Sequence, residues 1–147
     1  MNEYDIDILR LAGAGYCCSQ IVVQLALEVQ GVENPGLMRA MSGLCHGFPA
    51  MEGTCGAVTG GACLLAYYGG KGRADEEEND RLALMLAELS SWFNDYAAEQ
   101  FSGLKCSDIV EDGRIDAAIC GGLISGCYGK VLTILVENGF DPGVEND

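Results

Sequence analysis

The sequence predicts an all-α fold: a compact, single-domain bundle of about five to seven helices spanning residues 1–147, with a glycine-rich central helix. Three observations predict it. Apolar residues recur at three- and four-residue spacing in successive segments. No segment sustains a two-residue alternation of β-branched side chains. Glycine and proline punctuate the chain between the periodic runs. Apolar residues make up 49% of the 147 residues, enough for a core without disulfides to compensate for small size.

Residues 4–12 form a short amphipathic helix with Ile6 and Leu9 on one side, broken by Gly13 and Gly15. A second helix covers residues 18–30, where Ile21, Val22, Leu25 and Val29 fall at helical spacing, and Gly31 stops it. Asn34-Pro35-Gly36 reads as a turn, residues 37–45 as a third helix and residues 47–53 as a loop. Thr54 reads as the N-cap of a fourth helix reaching Tyr68. Its interior carries Gly56 and Gly60 four residues apart, and an interior glycine costs about 1 kcal/mol relative to alanine. That repeated use predicts close approach of a neighbouring helix or of a cofactor. The acidic run 75–80 opens a long helix, favourably placed against the helix dipole, with Leu82, Met85, Leu86, Leu89 and Phe93 as its buried stripe and Gly103 as its end. A short helix over 106–111 follows, Gly121-Gly122 interrupts the next region, and a last helix from Ser125 or Gly126 to Asn138 buries Val131, Leu132, Leu135 and Val136. Residues 141–147 read as a frayed tail.

The net charge is -14, and it is unevenly spread: residues 1–73 carry six acids and four bases, residues 74–147 sixteen acids and four bases. Such a surface repels phosphate backbones and anionic membranes, which argues against nucleic-acid binding, and it offers a docking face to a basic redox partner protein. The acidic start lacks the basic flank and continuous apolar run of a signal peptide, and the uncharged runs 11–27 and 53–70 are too polar or glycine-rich to span a bilayer. The expectation is a cytoplasmic protein without membrane insertion. A homodimer packed through the glycine-rich helix is a further expectation.

Eight cysteines are a high count for this length. In a reducing compartment structural disulfides are disfavoured, and metal-binding or catalytic thiols are the expectation. Cys18, Cys55, Cys106 and Cys127 all fall at or near predicted helix starts, where free N–H groups stabilise thiolate and lower its pKa. No C-x-x-C is present, so the thioredoxin motif and the zinc knuckle are both excluded. Cys17 and Cys18 are adjacent, Cys55 and Cys63 are more than two turns apart, and Cys120 and Cys127 about two. None of these pairs can bond within its own segment, so any disulfide or metal site must be assembled from different segments.

The runs Cys18-Ser19-Gln20-Ile21-Val22, Thr54-Cys55-Gly56-Ala57-Val58-Thr59-Gly60, Leu104-Lys105-Cys106 and Gly126-Cys127 carry a family resemblance. Their order resembles the C-GCAxxG-C-C family, labelled redox-active for its cysteines. The resemblance implies a small helical domain with four functional cysteines, here Cys18, Cys55, Cys106 and Cys127, with Cys17 as a substitute for Cys18. It implies no particular reaction. On the residues themselves, Thr54 caps the helix, Cys55 lies in its first turn, and Gly56 and Gly60 leave room beside the sulfur for another segment or a cofactor.

Three functions follow. The first is a dithiol redox protein, in which Cys55 as nucleophile pairs with Cys18, Cys106 or Cys127 in thiol/disulfide exchange or electron transfer. The second is a metal site holding an iron–sulfur cluster or zinc on the same four thiolates, with Cys45 and His46 as weaker ligands. The third is a non-catalytic helical interaction module. Cys63 reads as core, and Cys120 fits either core or site. No G-x-S-x-G or P-loop pattern occurs, and the acidic run lacks EF-hand spacing.

Overall fold

In the computed structural model, residues 3–49, 52–110 and 117–144 are described, and among them the chain forms seven α-helices and no strand. They are α1 (Asp5–Gly13), α2 (Cys18–Gln30), α3 (Pro35–Met41), α4 (Gly56–Gly69), α5 (Leu82–Gln100), α6 (Cys106–Ile109) and α7 (Ala117–Glu137). A single 3-10 turn, Ser42–Leu44, continues α3.

The glycine-rich helix α4 is central, packed against α2, α5 and α7. Its glycines fit specific neighbours. A Cβ on Gly60 would lie 2.8 Å from the carbonyl oxygen and 2.9 Å from the Cα of Ser19, so the backbone of α2 crosses directly over it. A Cβ on Gly61 would lie 3.2 Å from Val131 on α7 and 3.3 Å from Leu89 on α5. Leu64 and Leu65 are fully buried one turn further on. Full burial of such a side chain stabilises by about 1.5–3 kcal/mol, enough to offset the low helix propensity of the glycines.

Helix α7 is the second core element. Residues 118–137 are long and apolar enough to cross a membrane by length and composition, a run the sequence reading did not single out. Here Val131, Ile134 and Leu135 are fully buried, and α7 packs against α4, α2, α1 and α5 as a core helix.

Several local expectations are corrected. Asn34 does not merely form a turn: its side chain accepts the Leu37 N–H at 3.0 Å and caps α3, with Pro35 at the first helical position, where its missing N–H is not needed. The acidic run 75–80 precedes α5 rather than opening it, because Asn79 turns the chain, accepting Arg81 N–H on its side chain and Leu82 N–H on its carbonyl. Gly121 and Gly122 do not interrupt α7, which runs through them and buries Leu123, Ile124, Cys127 and Tyr128 just beyond. The buried side of α1 is Ile8 and Leu11, because α2 and α7 cover that face, and Ile6 (72%) and Leu9 (58%) are exposed instead. Val29 and Val136 are likewise exposed, at the ends of helices whose inner faces are filled by Ile21, Val22, Leu25 and by Val131, Ile134 and Leu135. Within the predicted frayed tail, residues 141–144 are tied down: Tyr68 donates its hydroxyl to the Pro142 carbonyl at 2.6 Å and accepts from Gln30 Nε2. Residues 145–147, and the predicted helical position Glu111, lie outside the described residues.

Candidate functional site

Cys18 is the first residue of α2, and the two residues after it fix that turn. Ser19, fully buried, donates its hydroxyl to the Met41 carbonyl at 2.9 Å. The Gln20 side chain accepts the Cys17 N–H at 3.1 Å and donates to the Met38 carbonyl at 2.9 Å. The Cys-Ser-Gln run thus anchors the start of α2 to α3. On the other side, a Cβ placed on Gly56 would lie 2.5 Å from Cys18 Sγ and 3.1 Å from the Leu44 carbonyl oxygen. Only a glycine leaves room for the Cys18 sulfur at the start of α4.

Gly56 and Gly60 therefore accommodate the first turn of α2, and Gly56 also lines the cavity described below. Thr54 does not cap α4: the N-cap is Cys55, and Thr54 instead forms an isolated antiparallel bridge with Lys105. Cys55 N–H donates to the Leu104 carbonyl at 2.9 Å, and Cys106 N–H donates to the Gly53 carbonyl at 3.0 Å. This small patch of pairing carries Cys106, at the start of α6, alongside Cys55.

A cavity of about 370 Å³ lies where these segments meet α1 and α7. Cys18, Cys55, Cys106 and Cys120 all line it, as do Cys17 and His46. The remaining walls are aliphatic, among them Ile8, Leu9, Ile21, Ile109, Val110 and Ile124. Cys55 is buried, while Cys18, Cys106 and Cys120 are half-buried. Cys127 does not line the cavity; it is fully buried behind it, close enough to Cys55 and Cys18 for their charges to disfavour its ionisation.

Three of the four cysteines singled out in the sequence share this cavity, and the fourth lies next to it. Cys127 is not at a helix start. It sits in the middle of α7, and Cys120, seven residues before it, takes the place at the cavity wall. Two turns of helix put both on one face, a signal present in the sequence but hidden by reading Gly121-Gly122 as a break.

The expected lowering of thiol pKa is overturned at Cys55, Cys106 and Cys127. Burial pushes Cys55 up to about 12, and the neighbouring Cys18, Cys106 and Cys120 add to the rise, against the opposing pull of the Ala57 N–H. Cys106 is raised by burial and by Cys18. Cys127 is raised by burial first and then by Cys55 and Cys18. At Cys55 the Ala57 N–H opposes the rise, but removal of water from around a thiolate outweighs it.

Cys17 and Cys45 form a disulfide with a Cα–Cα distance of 5.7 Å, closing a 28-residue separation. Structural disulfides were not expected, yet the α2 cap and the end of the 3-10 turn bring these two together. Ser19 Oγ contacts both sulfurs, at 3.3 Å from Cys17 and 3.9 Å from Cys45. Cys45, bonded in this disulfide, is not a free thiolate for a metal, and Cys17 is not a free thiol beside Cys18. Among the described residues, no group of three or more His, Cys, Asp or Glu side chains is placed to hold a metal ion. The described donor set does not fit zinc or an iron–sulfur cluster in this arrangement.

A family model described as "Putative redox-active protein (C_GCAxxG_C_C)" matches residues 16–134. The chain belongs to the C-GCAxxG-C-C family. No curated protein and no solved structure matches it. In this member of the C-GCAxxG-C-C family, the central motif is the helix crossing itself: Cys55 caps α4, Gly56 admits Cys18, and Gly60 admits the backbone of Ser19.

Proposed function

We propose that this protein is a two-electron thiol redox protein whose working pair is Cys18 and Cys55. The observation that carries the reading is the position of Cys18 Sγ against Gly56, the residue after Cys55, inside a cavity that both thiols line. Cys18 is also among the thiols whose charge disfavours ionisation of Cys55.

Cys18 is the better first nucleophile. It is half-buried at the start of a 13-residue helix, whereas Cys55 is buried and held as the thiol at neutral pH. This reverses the role expected of Cys55, which becomes the resolving thiol. In the reaction the two S–H bonds break and one Cys18–Cys55 S–S bond forms. Two electrons and two protons pass to an acceptor, and a dithiol donor restores the pair by exchange. Cys106 and Cys120, on the same walls, are placed to take part in a second exchange.

The test is a thiol count on protein held anaerobically, before and after mild oxidation with a small disulfide, followed by mass mapping of the new bond. The expected result is reversible loss of two thiols, mapped to Cys18 and Cys55, and no loss in Cys18→Ser. Retention of every thiol, or a new bond that omits Cys18, would overturn the assignment.

A further inference from the structure

We infer that the cavity binds the electron acceptor itself, and that this acceptor is a small, uncharged, apolar molecule of the quinone class. The inference rests on the redox reading above and adds the chemistry of the acceptor.

The first observation is what lines the cavity. Beside the thiols its described walls are aliphatic side chains with Tyr16 and His46; Asp5 is the one carboxylate among them, and there is no Lys or Arg. An anion entering would lose its hydration with no Lys or Arg among the described lining residues to compensate. This disfavours phosphate-bearing cofactors and anionic peptide disulfides. The volume, about 370 Å³, is at the small end for ligand pockets, which suits one substituted ring.

The second observation is the pair Gly121-Gly122. Elsewhere in the core the glycines Gly56, Gly60 and Gly61 are required by neighbours that a Cβ would strike. At Gly121 and Gly122 a Cβ would meet nothing among the described residues within 4 Å, although both residues line the cavity within a 21-residue helix. No neighbouring segment among the described residues accounts for them, and both border the open space of the cavity. Leu9, exposed and at the edge of the same cavity, gives it an apolar rim.

A quinone meets these terms. It is flat and uncharged, and it accepts two electrons and two protons, becoming a hydroquinone. Those are the two electrons and two protons released when Cys18 and Cys55 form their disulfide. No other reactant is needed for that half of the cycle.

The reduced protein is mixed anaerobically with a fully substituted benzoquinone carrying a short isoprenoid tail, whose ring has no free position for thiol addition. A sulfonated quinone and hydrogen peroxide are run in parallel. The expected result is one hydroquinone per two thiols lost, at a rate at least roughly tenfold above that of the sulfonated quinone, because the apolar walls reject charge. Gly122→Leu, which adds a bulky side chain at the cavity wall, should lower the ratio of quinone rate to peroxide rate by about tenfold or more, with the helical circular dichroism checked for each variant. Equal rates with the two quinones, or an unchanged ratio in Gly122→Leu, would overturn the inference. Loss of two thiols to peroxide with none to either quinone would overturn it while leaving the Cys18–Cys55 pair standing. No thiol loss to any oxidant would remove both.

Discussion

Cys55 shows how a single side chain answers to two opposed influences. Its position at the cap of α4 brings the Ala57 N–H toward the sulfur, which favours thiolate. Its burial, and the crowd of neighbouring thiols, favour the protonated form, and they win, raising its pKa from 9.0 to about 12. The sign of the consequence for stability follows. Between these two values the folded chain holds a proton that the unfolded chain releases, so the contribution of Cys55 is fully present below about pH 9 and is lost as pH rises toward 12. In reductant, urea unfolding of the native sequence should lose about 1.4 kcal/mol per pH unit across that window beyond what Cys55→Ser loses. Parallel pH slopes for the two proteins would show that Cys55 ionises in the fold as readily as out of it. The cysteines and the Cys-Gly-Ala-x-x-Gly spacing were legible in the sequence. The direction of the pKa shifts was not, because desolvation depends on what α7 and α1 place around the sulfur.

At the scale of elements, the site is made by crossings rather than by any one helix. The start of α2 lies over the start of α4 because Gly56 and Gly60 have no side chains, and Ser19 and Gln20 hold that start against α3. The sequence displayed the glycines at four-residue spacing, and a neighbouring helix was one of the two readings they supported. It did not show which helix, since partner choice is a long-range matter. The end of α4 has a comparable fastening. Tyr68 accepts from Gln30 of α2 and donates to Pro142 beyond α7, while Phe140 packs at its ring. Tyr68→Phe keeps the ring and removes the hydroxyl. It should cost about 1 kcal/mol and raise amide exchange in residues 140–144, leaving the helices near the cavity unaffected. Unaltered exchange in that segment would mean that the ring contact alone holds it.

For the whole molecule, the Cys17–Cys45 disulfide ties the α2 cap to the loop that follows α3, at the edge of the same cavity. Closing a 28-residue separation restricts the unfolded chain, and in the chain-entropy account this is worth about 3.6 kcal/mol. The double variant Cys17→Ser/Cys45→Ser, compared with the oxidised native protein by urea unfolding, should show a lower midpoint by an amount of that order. Equal midpoints would indicate that the pairing does not hold the fold together. The uneven acidity of the chain belongs to this scale too: the acidic run 75–80 lies ahead of α5, between α4 and α5, and not within a helix.

The sequence by itself determined that this protein is helical, that its central helix is rich in glycine, and that it belongs among proteins defined by four ordered cysteines. Those features are local: periodicity, propensity and spacing are properties of short stretches of chain. Tertiary structure alone decided that Cys17 bonds Cys45, that Cys120 rather than Cys127 lines the cavity, that Asn79 delays the start of α5, and that Gly121 and Gly122 stay helical. Each depends on segments distant along the chain that remove water, supply a partner or leave a space, and no short stretch of sequence carries that information.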